Sequence, residues 1–223
     1  MSSVDSGRYV FTTGVSAFFE MPTSDAQRIL PDHLQPVEIR HERSILAVTA
    51  FHFRESVVGP YAELMFSVVV PPVPGRWGQH PKAGFYPFMA ATSSEESRRH
   101  RSQAFRIPHI AEDIDARFVE TAGMLRVNIW SCSGPVVDLT VTQHKWETTT
   151  HLLHTFMTHG KQRYKANLQI SGRYTVHENE GGRMRLHHHP MTTALTLEEI
   201  SPYPFREHWL KEGVELFQSL ETL

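Results

Sequence analysis

Apolar residues along this chain fall mostly in short blocks or alternate with polar ones. Residues 8–20 carry Tyr9, Phe11, Val15, Phe18 and Phe19. Residues 44–53 hold the block Ile45-Leu46-Ala47-Val48-Thr49-Ala50-Phe51, and residues 63–70 the block Leu64-Met65-Phe66-Ser67-Val68-Val69-Val70. β-Branched and aromatic residues in runs of about 5–10 are the mark of strands in a largely buried sheet. The same reading gives strands over 84–91, 116–120, 124–131, 136–144, 164–176, 183–188 and 192–197. The proline-rich stretch 71–75 follows an apolar run and cannot continue a ladder, so it reads as a turn.

Three segments read as helices. Residues 23–30 start at a Thr/Ser/Asp cap and stop before Pro31. Residues 94–104 follow a capping box of Ser93 with Glu96. Residues 205–220 place Phe205, Trp209, Phe217 and Leu220 near one stripe, with Leu210 and Val214 beside it, which is helical spacing. Many strands and few helices predict a mostly β, β-rich α+β fold, a closed barrel or sandwich. No repeat, linker or glycine-rich phosphate loop interrupts the chain, so residues 1–223 are expected to form a single domain without nucleotide chemistry.

Composition narrows this picture. The 223 residues are 40% hydrophobic and 21% charged, an ordinary globular mix able to bury its own core. A formal net charge of −2 gives no footprint for nucleic acid. One cysteine, Cys132, rules out an intrachain disulfide, and it reads as a small hydrophobe with no sign of a nucleophile. No apolar run approaches the ~18–20 residues of a membrane span, and no apolar leader follows the first residues. A cytoplasmic protein with no membrane partner is the expectation.

Three stretches, in order, are similar to the acetoacetate decarboxylase-like family. Residues 23–38 give a short helix followed by the pattern LPxxLxPVE. Residues 47–70 give an apolar strand, then Gly59-Pro60-Tyr61-Ala62-Glu63, then another strand. Residues 94–114 give a helix followed by Phe105-Arg106-Ile107-Pro108-His109-Ile110. The resemblance covers roughly the middle half of the chain. It implies a compact β fold around a mostly apolar cavity, usually oligomeric, and a substrate class of small oxo acids. It also implies that a lysine directly after the proline would form an iminium with the substrate ketone, its pKa lowered by burial and a neighbouring cation. Here His109 stands in that place and Ile110 in that of the second lysine. Thr12-Thr13 replaces an expected arginine, and Phe51-His52 an expected acid, while Glu63 carries over.

Since a neutral imidazole forms no stable iminium with a ketone, the expected chemistry is cofactor-free acid–base catalysis by His109 and Glu63. It would act on a small or medium carbonyl compound, as a lyase, dehydratase, cyclase, isomerase or decarboxylase of a specialised pathway such as secondary metabolism. Arg106, Arg101, Tyr61, Phe51 and His52 are the candidate substrate-binding residues. Among Arg98, Arg99 and Arg101, one could turn inward and hold a carboxylate. Lys82, Lys145, Lys161, Lys165 and Lys211 are candidates for a displaced Schiff-base lysine. Two alternatives stay open: a non-catalytic small-molecule-binding protein using the same cavity, and a metal-dependent enzyme. The latter would draw on the fifteen histidines, through His187 and His189 on one strand face or through His151, His154 and His159.

Overall fold

The computed structural model describes residues 7–73, 81–178 and 181–223. Seven strands close into a barrel: β1 (Gly7–Pro22), β12 (Arg206–Phe217), β10 (Gln162–His177), β9 (Glu147–His159), β5 (Gly84–Thr92), β4 (Tyr61–Val70) and β3 (Arg43–Glu55), which returns to β1. All these pairs are antiparallel except a short parallel join of β5 to β9 at Gly84 and Phe85. Two short strands, β2 (Glu38–Arg40) and β13 (Glu221–Thr222), extend its rim. A second sheet holds β6 (Ile114–Thr121), β7 (Met124–Ser131), β8 (Gly134–Thr142) and β11 (Arg183–Leu186). Of the two α-helices, α1 (Thr23–Ile29) follows β1 and α2 (Glu95–Phe105) follows β5. No helix among the described residues is long and apolar enough to cross a membrane.

Strand alternation sends one set of side chains into the barrel and the other outward. On β3 and β4 the outward set, Leu46, Val48, Leu64 and Phe66, packs with Leu125, Val127, Leu139 and Val141 of the second sheet. The inward set includes Phe51, Phe53 and Tyr61. Burial on both faces is why these strands read as unbroken apolar runs.

The sequence expectations need three corrections. Residues 205–220 are not helical; Arg206–Phe217 is strand β12. Glu212 adopts a left-handed φ of 47°, and one extra β12 residue is inserted between the pairs Ser171–Val214 and Arg173–Lys211. That bulge switches the inward parity from His208 and Leu210 to Glu215 and Phe217. A strand buried on both faces and broken by a bulge imitates helical spacing. Gly213 is needed there, because a Cβ would lie 2.3 Å from Phe11.

Residues 192–197 are not a strand but part of a segment of short 3-10 turns, Pro190–Thr192 and Leu197–Glu199. The cap of α2 is Ser94, whose Oγ accepts from the Ser97 N–H; Ser93 Oγ instead accepts from the Ala62 N–H at 2.8 Å. Residues 147–159, to which the sequence reading assigned no element, form strand β9. The last two residues of the turn at 71–75, Pro74 and Gly75, lie outside the described residues.

Candidate active site

Helix α2 is polar, but Ser97, Arg101 and Phe105 form a buried stripe at four-residue spacing. That stripe carries Arg101 into the end of the barrel, where it is 1% exposed. Its Nε donates to Glu63 Oε2 at 2.7 Å and its Nη2 to Glu63 Oε1 at 2.9 Å. Nη2 also donates to Glu215 Oε1 at 2.8 Å. The guanidinium lies 4.2 Å from the Tyr9 ring centroid and 5.3 Å from that of Phe217. Burial works against its charge, but Glu63, Tyr61 and Glu215 outweigh that and hold its pKa well above the ordinary value. The sequence offered Arg98, Arg99 or Arg101 as an inward arginine for a substrate carboxylate. The carboxylate it meets belongs to the protein.

Charge balance sets the state of the group. Arg101 holds both Glu63 oxygens, and Glu215 shares one donor. Burial and the neighbouring Glu63 charge raise the Glu215 pKa, against the pull of Arg101. Glu215 therefore holds a proton more readily than an ordinary glutamate does. Among the described residues its Oε2 has no protein hydrogen bond, and the residue borders the barrel cavity.

That cavity measures about 500 Å³. Its inner wall is mostly apolar, including Phe51, Met65, Leu168 and Ile170, and its mouth opens at the end away from α2, near Phe18, Lys82 and Arg206. Three polar rings share one wall: His151 lies 4.5 Å from Tyr174 and 6.0 Å from His208, centroid to centroid. Burial lowers the pKa of His151 to about 4 and that of His208 to about 3, helped by the nearby Lys82 charge. Both imidazoles are thus neutral at pH 7, and neither has a protein hydrogen-bond partner among the described residues. Tyr174 donates its hydroxyl to the Ile170 carbonyl at 3.0 Å.

The other candidates are dispersed. His109 lies in the loop after α2, stitched to β5 by backbone bonds between Ala90 and both Pro108 and Ile110. Its Nδ1–H donates to the Ile107 carbonyl at 2.9 Å, which leaves Nε2 as a buried acceptor without a partner. Burial lowers its pKa, with the Glu63 charge pulling the other way. No hydrogen bond joins His109 to Glu63, and His109 does not line the cavity.

Phe51 lines the cavity and Tyr61 lies buried beside Arg101, its hydroxyl unpaired. His52 points the opposite way from Phe51, to the exposed outer face, where Nδ1 lies 3.0 Å from Thr12 Oγ1. Arg106 is the exposed, left-handed cap that ends α2, with φ 58°. Both therefore stand outside the cavity. Arg98 pairs with Asp113, and Arg99 is exposed.

Of the five lysines, Lys82 alone lines the described cavity, at its mouth. Lys165 and Lys211 are ion-paired elsewhere with Glu221 and Glu120, and Lys145 with Glu147, while Lys161 is exposed at a turn.

The histidine clusters also separate. His151 faces the cavity, whereas His154, three residues along a strand, faces outward and packs on Phe156. His187 pairs with Asp138 at 2.9 Å, and His189 caps the turn at Pro190. No group of three or more metal-ligating side chains assembles among the described residues.

One Ser–His contact, Ser131 Oγ to His189 Nε2 at 2.8 Å, has the wrong polarity for a nucleophile. His189 Nδ1 accepts from the Met191 N–H, so Nε2 carries the proton and donates. Ser131, Ser133 and Cys132 hydrogen-bond to Glu112 and lower its pKa to about 2, and that same contact raises the pKa of the Cys132 thiol.

The closed barrel with its second sheet defines the class of fold, and solved structures share that fold across nearly the whole chain. The protein has the acetoacetate decarboxylase-like fold. It is similar to a solved acetoacetate decarboxylase at a TM-score of 0.69 and 13% identity, over 98% of this chain and 89% of that one. The enduracididine biosynthesis enzyme MppR, complexed with pyruvate, matches at 0.65 and 12%, over 100% and 91%. An acetoacetate decarboxylase-like enzyme from Sphingomonas wittichii RW1 matches at 0.66 and 12%, over 100% and 94%. No family model matches the sequence, and no curated protein does.

Sequence reasoning missed Glu215, because it read 205–220 as a helix. Strand alternation would also have missed it, since it puts Glu215 on the outer face with Glu207, and only the bulge at Glu212 turns it inward.

Proposed function

We propose that this protein is an enzyme that promotes enol-forming chemistry on a carbonyl compound by acid–base catalysis without a Schiff base. The observation that carries the reading is Glu215, a buried carboxyl group bordering an apolar cavity with one oxygen anchored by Arg101. A carboxylic acid kept neutral by its surroundings can hydrogen-bond to a carbonyl oxygen and stabilise charge developing there. Glu215 donates its Oε2 proton to that oxygen as the carbon–hydrogen bond beside the carbonyl breaks. The carbon-bound proton passes to a neutral imidazole of the wall, His151 or His208. Glu63 is a positioning residue, which holds Arg101 and through it Glu215. His109 takes no part in this scheme.

Hydrogen exchange tests the reading without knowledge of the natural product. A panel of ketones and oxo acids in D₂O is followed by proton NMR, with borohydride trapping alongside. Wild-type protein should catalyse deuterium uptake next to the carbonyl of at least one compound and give no trapped adduct. Glu215→Gln should slow uptake at least 100-fold, within the range of about 10²–10⁴ for loss of a general acid. An adduct on Lys82 would contradict the scheme, as would a comparable loss in His109→Leu with full activity in Glu215→Gln.

A second reading, a binding protein, draws on the mostly apolar lining of the cavity. Tight binding of a carbonyl compound with no exchange in any member of the panel would favour it.

A further inference from the structure

A cavity of about 500 Å³ falls in the range of about 300–1,000 Å³ that suits ring-sized ligands. Its cations stand at its two ends. At the mouth Arg206 pairs with Glu178 at 2.6 Å, and Lys82 is exposed to water. Arg101, the one guanidinium buried at the inner end, has its Nε and Nη2 donors taken by Glu63 and Glu215. Its remaining Nη1 is buried and unpaired, out of contact with the cavity. Glu215 touches both Arg101 and the cavity, so it stands between them. The wall opposite offers imidazoles and a tyrosine, and no fixed charge.

We infer that Glu215 occupies, from within the chain, the seat on Arg101 that a substrate carboxylate would otherwise take, and that the cavity therefore selects uncharged, ring-sized carbonyl compounds over oxo acids. This rests on the acid–base reading and sharpens it by naming the substrate class. The same side chain serves both roles: Oε1 fills the seat on Arg101 while Oε2 faces the ligand. A carboxylate pushed to the inner end would lose its hydration and meet no free cation, which is costly, and the water-exposed Lys82 at the mouth offsets little of that. A ketone loses little hydration and gains a donor.

The test is a pair of ligands that share one ring system, tetralone and carboxytetralone, titrated by calorimetry against the full chain. Wild-type protein should bind tetralone at least tenfold more tightly. Glu215→Ala removes the internal carboxylate and opens the Arg101 Nη2 donor to the cavity, so carboxytetralone should gain at least tenfold while tetralone does not. A wild-type preference for the carboxylate would overturn the inference, as would binding of neither compound or a Glu215→Ala protein with no gain for carboxytetralone. Should Glu215→Ala not fold, Glu215→Ser serves the same purpose, and the wild-type comparison decides independently of either. Binding is read apart from turnover, so absent deuterium exchange sinks the catalytic reading and leaves charge selection standing. Exchange confined to oxo acids does the reverse.

Discussion

The inner end and the wall of the barrel cavity handle polar groups in opposite ways. At the inner end, Arg101 and Glu63 answer each other's charges and Glu215 shares one guanidinium donor, behind a ring of aromatic side chains. On the wall, His151 and His208 answer no protein group and stay neutral because burial makes their charged forms costly. A paired charge fixes structure, whereas an unpaired neutral lone pair facing a cavity is left for a ligand. Glu215 belongs to both regions, and for that reason it is the residue on which the functional reading turns. The unpaired atoms of the inner end, Arg101 Nη1, Tyr61 Oη and His109 Nε2, differ from the wall nitrogens in being sealed from the cavity.

Breaking the inner end should have the largest effect. Arg101→Met leaves Glu63 and Glu215 buried together without a cation, and removal of one partner from such a group costs about 3–5 kcal/mol. Urea unfolding should show that loss. Replacing all three residues by apolar ones should recover most of it; a single variant as stable as wild type would remove the distinction between the two regions.

A smaller effect should come from the wall. The folded pKa values of about 4 and about 3 at His151 and His208 lie below the ordinary 6.5. Between about 6.5 and those values the unfolded chain binds protons that the folded chain does not, so stability falls as pH falls through this window. Above it, these groups carry no such penalty. The double variant His151→Leu/His208→Leu should therefore unfold at a lower pH in an acid titration followed by tryptophan fluorescence. An unchanged acid midpoint would show that these rings are free to charge, unlike the sealed inner end.

The barrel was legible where local pattern and tertiary burial agree. The blocks at 44–53 and 63–70 became β3 and β4, since strands covered on both faces keep apolar residues at every position. The expectation failed at β12, where a left-handed Glu212 resets the alternation, and no rule of spacing reveals a bulge before its neighbours are known. The site shows the same division. Glu63 drew attention through the short pattern around it, as an acid beside His109, and one of three arginines near position 100 was offered as a holder of substrate; the structure pairs Glu63 with Arg101 instead. Which carboxylate that arginine would find was not visible, because Glu215 lies 114 residues farther along the chain. His109 drew attention through its place in a motif, yet its position in space keeps it off the cavity wall.

The most direct test of the central claim is a carbon-13 NMR titration of the Glu215 carboxyl, assigned by its loss in Glu215→Gln. A signal that stays protonated above the usual carboxylate range, and titrates lower once Glu63→Gln removes the neighbouring charge, is the expected result. A Glu215 carboxyl that ionises at or below the ordinary glutamate value would contradict the account, since the barrel would then hold no neutral acid to offer a carbonyl oxygen.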